Sequence, residues 1–171
     1  MRHIFDWRAV GVLGFAGALL GSPAFADGLL VTHRLSAAMA SAITSEVVAH
    51  CAAQGYAETA VVVDADGVRQ SVLRGDRAGA HSLDSANDKA YTAASFKTDT
   101  AALAERAKTV PGFAALFTQL PHLILFGGGV VIKRGDEVIG AVGAAGAPGG
   151  NLDEACARAG VDKTRDQLSA K

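Results

Sequence analysis

Residues 73–96 read LRGDRAGAHSLDSANDKAYTAASF, and the architecture follows from how this stretch is parsed. It opens as a turn-rich loop, Arg74-Gly75-Asp76-Arg77-Ala78-Gly79, whose two glycines permit tight backbone turns. It continues with helical spacing. On a 3.6-residue helix Ser85, Lys89, Thr92 and Phe96 share one face, and Ala86, Ala90, Ala93 and Ala94 form a neighbouring face of small residues. The alanine face suits close packing on a sheet. A polar stripe beside it, fed by a loop carrying Arg74, Asp76, Arg77 and His81, has the composition of a binding site. A solvated helix face behind a surface loop fits the same spacing.

Upstream, the β-branched run Thr59–Asp64 (TAVVVD), the turn signal Ala65-Asp66-Gly67 and the segment Val68–Leu73 predict a hairpin. Before it, Ser36 is a suitable N-cap for a helix to about Ala53, with Met39, Ile43, Val47 and Cys51 on one stripe and Gly55 just past its end. Downstream, Thr98-Asp99-Thr100 offers a cap for a helix through Ala107, and Phe113–Leu120 has a helical apolar pattern. His122–Phe126 (HLILF) reads as a strand, and Gly127-Gly128-Gly129 mark a turn where another group approaches the backbone closely. Val130–Lys133 and Glu137–Val142 flank Arg134-Gly135-Asp136 as a second hairpin. Asn151, with Glu154 three residues on, reads as a capping box for a last helix that Gly160 interrupts or ends. The order helix, two strands, helices, three strands, helix predicts an α+β fold with a mainly antiparallel sheet of about five strands.

The N-terminus reads as a separate unit. Arg2, His3 and Arg8 precede the apolar run Ala9–Leu20, and Ser22-Pro23-Ala24-Phe25-Ala26 supplies an Ala-x-Ala site, so residues 1–26 are expected to be a cleaved signal peptide. The apolar run is short for a bilayer span, and no stable membrane insertion is expected after cleavage. The remaining domain, residues 27–171, loses Arg2, Arg8 and Asp6 with the leader, taking the net charge from −1 to −2. Without a basic excess, nucleic acid is not the expected partner. A periplasmic or secreted location follows, and it is oxidising. Cys51 and Cys156 are too far apart for CxxC or CxxCH chemistry. By themselves they fit either one disulfide or two small buried thiols.

The residues Arg74-Gly75-Asp76, Ala78-Gly79, His81-Ser82, Asp84-Ser85-Ala86 and Lys89-Ala90-Tyr91-Thr92-Ala93 together resemble the signature of the GlcG/HbpS-like haem-binding (haem-degrading) family. Gly127–Gly129, Val138–Gly143, Gly146–Gly150 and Asp153–Gly160 extend the likeness, in the family's order, over nearly all of the chain after the leader. The sequence departs from the pattern at Arg77, where glycine is common, and at Ala80 and Val131, where proline is usual. The resemblance implies a profilin-like sandwich with the first and last helices on one sheet face. That arrangement would bring Cys51 and Cys156 together, and a disulfide is expected. It also implies a homo-oligomer, to which the modest alanine-rich core and glycine-rich segments lend themselves.

Haem, expected as haem b, asks for an apolar slot, a donor for the iron and cations for the propionates. Arg74, Arg77 and Lys89 could meet the propionates, with Asp76 and Ser85 completing the polar lining. His81 is the nitrogen donor beside the site. Thr92 is the second candidate for the iron, because the family ligand is not always histidine and Thr92 shares the Lys89 face. His33, His50 and His122 read as incidental, and no zinc spacing or Glu-x-x-Glu pair occurs. The expected function is haem sequestration, sensing or delivery. The alternative is an enzyme or accessory subunit acting on a small carboxylate or aldehyde. Ser85 and Lys89 could form a nucleophilic pair, but the spacing of known Ser–Lys acyl enzymes is absent.

Overall fold

The structure is a computed structural model that describes residues 28 and 30–169; the signal-peptide expectation over residues 1–26 lies outside them. The elements run α1 (Ala37–Ala53), β1 (Thr59–Asp64), β2 (Arg69–Arg74), α2 (His81–Phe96), α3 (Thr100–Thr109), α4 (Phe113–Gln119), β3 (Gly129–Arg134), β4 (Glu137–Ala145), α5 (Gly150–Lys163) and α6 (Arg165–Ser169). The strands form one antiparallel sheet in the order β2-β1-β4-β3. The fold is therefore α+β, with helices on both faces of an antiparallel sheet.

Period-two alternation in the central strands sorts the core into two layers. Ala60, Val62, Val142 and Ala144 join Ile43, Val47 and Cys51 of α1 and Cys156 and Ala157 of α5. Val61, Val63, Ala141 and Ala145 instead meet Ala86, Ala90, Ala93 and Ala94 of α2. The alanine face does what its composition suits: a Cβ on Gly143 would come within 1.9 Å of the Ala86 carbonyl oxygen. The sheet and α2 touch backbone to backbone there, and no side chain fits between them.

Local chemistry fixes the boundaries. Ser36 Oγ accepts from the Met39 N–H at 3.1 Å, opening α1. Asp64 Oδ1 accepts from the N–H groups of Asp66 and Val68, both at 2.9 Å, which shapes the first hairpin turn. On the far side of α2, Phe96, Phe113 and Phe117 form a small aromatic cluster with ring centroids 5.2–6.2 Å apart, which ties down α4.

Three local expectations are corrected. The sheet has four strands, because His122–Phe126 is not one: the Ile124 N–H donates to Thr92 Oγ1 at 3.0 Å and His122 takes a φ of 64°. That segment is held by a helix side chain instead of a neighbouring strand. Asn151 does not cap α5, which begins at Gly150 behind Gly149 with no side-chain cap. Gly160 does not end α5 either. It is the point where α5 meets α1, since a Cβ there would lie 2.5 Å from Val47 Cγ2 and 2.9 Å from the Ile43 carbonyl oxygen. Beside this contact Cys51 and Cys156, 105 residues apart, form a disulfide with their Cα atoms 5.6 Å apart.

Candidate functional site

The polar stripe of α2 divides between two places. Lys89 is fully buried, and its ammonium donates to Asp153 Oδ2 at 2.5 Å and to the Ala144 carbonyl at 2.9 Å. The Phe126 ring lies 5.1 Å from Nζ. Asp153, in the first turn of α5, also accepts from the Ala147 N–H at 3.0 Å through Oδ1. Gly128, at φ 116°, makes room: a Cβ there would sit 2.8 Å from Asp153 Cβ and 3.0 Å from Lys89 Nζ. The close approach expected at the triple glycine is therefore an approach to Lys89.

Glu58, just before β1, completes this cluster. It is 1% exposed, and its Oε1 has no hydrogen-bond partner. Burial first, then repulsion from and hydrogen bonding to Asp153, push its pKa from 4.5 up to about 8, against the opposing pull of Lys89 and the Ala147 backbone. At neutral pH Glu58 therefore keeps its proton beside the buried Lys89–Asp153 ion pair. Cys51 Sγ lies 3.5 Å from Glu58 Oε2, but a disulfide sulfur has no hydrogen to donate. With its ammonium held in this way, Lys89 has no loose amine to act as a base toward Ser85, which is half-buried.

The loop residues gather on the outside of the same end. Arg74, Asp76, Arg77 and His81 are all exposed. Arg74 folds back to donate to the Ala78 carbonyl. Arg77 takes a φ of 64°, a left-handed conformation at the position where the resembling family commonly has glycine. Asp76 and Arg77, with Tyr56, Val48 and Glu58, line an open pocket of about 520 Å³.

Thr92 belongs elsewhere. It lies eleven residues along α2 from His81, about 16 Å by helical rise, so the two cannot meet one atom within the chain. Its buried hydroxyl donates to the His122 carbonyl at 3.4 Å and accepts from Ile124 N–H. Asp88 and Tyr91, on the same face, reach the His122 ring: Nδ1 is 3.1 Å from Asp88 Oδ1, and the Tyr91 ring is edge-on with centroids 6.2 Å apart. Beside them Tyr91, Ser95, Phe96, Leu120, Pro121 and Leu123 line a mainly apolar pocket of about 320 Å³. Sequence reasoning missed Glu58, Asp153 and the Asp88–His122 pair. A Pro-His dipeptide after a helical run was the one local signal for the last of these.

A family model described as haem degrading protein HbpS-like matches residues 35–162. A doubly substituted variant of Streptomyces reticuli HbpS is similar, at 33% identity and TM-score 0.73, over 84% of this chain and 97% of that one. Klebsiella pneumoniae protein ORFY is similar at 25% identity and TM-score 0.76, over 86% and 99%. A PduOC:heme complex is similar at 26% identity and TM-score 0.70, over 76% and 94%. No curated protein sequence matches. The chain belongs to the HbpS-like family.

Proposed function

We propose that this member of the HbpS-like family is an exported protein that binds haem, as haem b, and acts in its sequestration, sensing or delivery. The observation that carries the reading is the likeness to a chain solved as a haem complex, over 94% of that chain's length. The residues present include the groups haem needs: exposed guanidinium groups at Arg74 and Arg77 and the His81 ring at the start of α2, and, farther along the helix, the His122 ring and a mainly apolar pocket. Arg74 and Arg77 would meet the propionates of a haem held at the His81 end of α2, with Asp76 and Ser85 nearby on the loop and helix. His81 and Thr92 stand as the sequence's candidates for the iron. Thr92 would have to give up its bond from Ile124 to serve. Lys89 contributes a fixed charge behind the site and no direct contact, because Asp153 holds it. Bound haem would supply redox and ligand-binding chemistry at its iron.

Export to a periplasmic or secreted location belongs to the same reading and rests on the leader; among the described residues no helix is long and apolar enough to cross a membrane. So does a homo-oligomer. β2 is an edge strand whose residues, apart from Ser71, are exposed, Val72 and Leu73 among them. The exposed Val72–Leu73 pair on this unpaired edge is where another chain would add, between the arginines at either end of the strand.

Titration of ferric haem into the purified protein tests the function. A saturable, intense Soret band at one haem per chain or fewer is expected. Its absence, with turnover of a small carboxylate or aldehyde in its place, would overturn the reading in favour of an enzyme. Light scattering with and without haem tests assembly, and a monomer under both conditions would remove the oligomer.

A further inference from the structure

We infer that His122, which the sequence reading set aside, is the side chain that ligates the haem iron, with Asp88 as its positioning partner. The inference rests on the haem-binding reading above. Its starting point is that three side chains on one face of α2, at i, i+3 and i+4, address this single residue. Asp88 takes Nδ1 of the ring, Tyr91 meets the ring edge, and Thr92 bonds to the backbone on both sides of Leu123. Tyr91 is itself lodged against the first hairpin, where a Cβ on Gly67 would come within 2.9 Å of its ring.

This is the support a ligating histidine needs. A carboxylate on one ring nitrogen fixes the tautomer and orientation and makes the other nitrogen a better donor. Here Nδ1 is engaged, so the donor is Nε2, and the side chain is 65% exposed and accessible to a ligand. His122 also holds a left-handed φ of 64°, a conformation that costs a non-glycine residue energy and recurs at functional sites. A histidine serving only as loop filler would have no reason to keep that conformation, to hold a carboxylate and to sit beside an apolar pocket all at once.

The chemistry also selects the kind of metal centre. A bare transition ion needs about three or four protein ligands, and among the described residues no group of three His, Cys, Asp or Glu could hold one. Haem iron arrives with four ring nitrogens and needs one imidazole plus apolar surface. Tyr91, Phe96, Leu120, Pro121 and Leu123 supply that surface next to His122, and Leu120 is 49% exposed. His81, by contrast, is an exposed helix-start residue, and no described side chain orients its ring.

The test is a ferric haem titration of the full chain and its His122→Gly variant, read by absorption and by electron paramagnetic resonance. Glycine accepts the positive φ, so the fold should persist, and circular dichroism checks this. The wild type should show a histidine-ligated spectrum. His122→Gly should lose it, bind at least about tenfold more weakly, and regain the spectrum when free imidazole is added. Asp88→Asn should keep histidine ligation but weaken binding roughly tenfold. An unchanged spectrum and affinity in His122→Gly, or loss of the histidine signal in His81→Ala alone, would overturn the assignment while leaving haem binding intact. Failure of the wild type to bind haem at all would remove the functional reading and this inference with it.

Discussion

Asp88 and Lys89 are adjacent on α2 yet serve regions of opposite character. Lys89 points into a buried cluster with Asp153, Glu58 and the Gly128 backbone, a short distance from the disulfide between α1 and α5. Asp88 holds the ring of an exposed histidine on a segment with no strand pairing, beside the small helices α3 and α4. Charge and covalent bonding fasten the first region. The second is held by single side-chain contacts from Thr92, Asp88 and Tyr91 and by a cluster of phenylalanine rings. One helix thus anchors the fold with one face and presents adjustable chemistry with the other.

The contrast can be broken most forcefully at the buried pair. Asp153→Ala strands the Lys89 ammonium without its partner, and denaturant unfolding should show a loss of about 3–5 kcal/mol. Replacing both partners with apolar residues of similar size should cost much less than Asp153→Ala alone. If the single and double variants are equally unstable, the pair is not the anchor.

Reduction of the disulfide, or Cys51→Ser with Cys156→Ser, should come next, at about 2–5 kcal/mol. The helix α5 should lose hydrogen-exchange protection before the His122 segment does. Equal loosening of both regions would erase the distinction drawn here.

Glu58 gives the buried region a pH signature. Its folded pKa of about 8 lies above its ordinary 4.5, so between those values the folded chain holds a proton that the unfolded chain has shed. Stability from this group is full below about pH 4.5, drains as pH rises toward 8, and is gone above it. Thermal melts from pH 5 to 8 should therefore show Tm falling, and Glu58→Gln should flatten that slope. A wild-type Tm that rises steadily to pH 8, unchanged in slope by the substitution, would contradict the protonated buried acid.

The smallest effect belongs to the loose region. Thr92→Val keeps the shape and removes two hydrogen bonds, for roughly 1–2 kcal/mol globally. Amide exchange at Leu123 and Ile124 should accelerate well beyond that at β1, which would mark the segment as a locally opening unit.

Much of this was legible in the sequence, for physical reasons that differ by element. Ser36 announced α1 because an N-cap acts within three residues. The alanine face of α2 announced a close sheet because only small residues permit one. The disulfide became an expectation once the fold placed both terminal helices on one face. Lys89 was recognised as part of a polar site, but its partners lie 31 and 64 residues away at Glu58 and Asp153, and Asp153 reads locally as a first-turn acid. HLILF read as a strand because a short apolar run carries no period of its own. Its fate was settled by a hydroxyl 32 residues earlier. Gly160 misled for the same reason: a glycine that ends a helix and one that admits a neighbour look alike in one dimension.

The disulfide also constrains how the chain reaches its folded state. The full sequence contains two cysteines, so oxidation within one molecule has a single outcome and no scrambled isomer exists. The hazard is one of timing. In a chain that meets an oxidising compartment while it is still being synthesised, Cys51 arrives 105 residues before Cys156, and at roughly 5–20 residues per second it waits about 5 to 20 s with no proper mate. During that interval any thiol it meets belongs to another molecule. Under that condition fidelity is a race between completing α5 and meeting a stranger, and the wrong outcome is a covalent pair of chains, not a wrongly paired one.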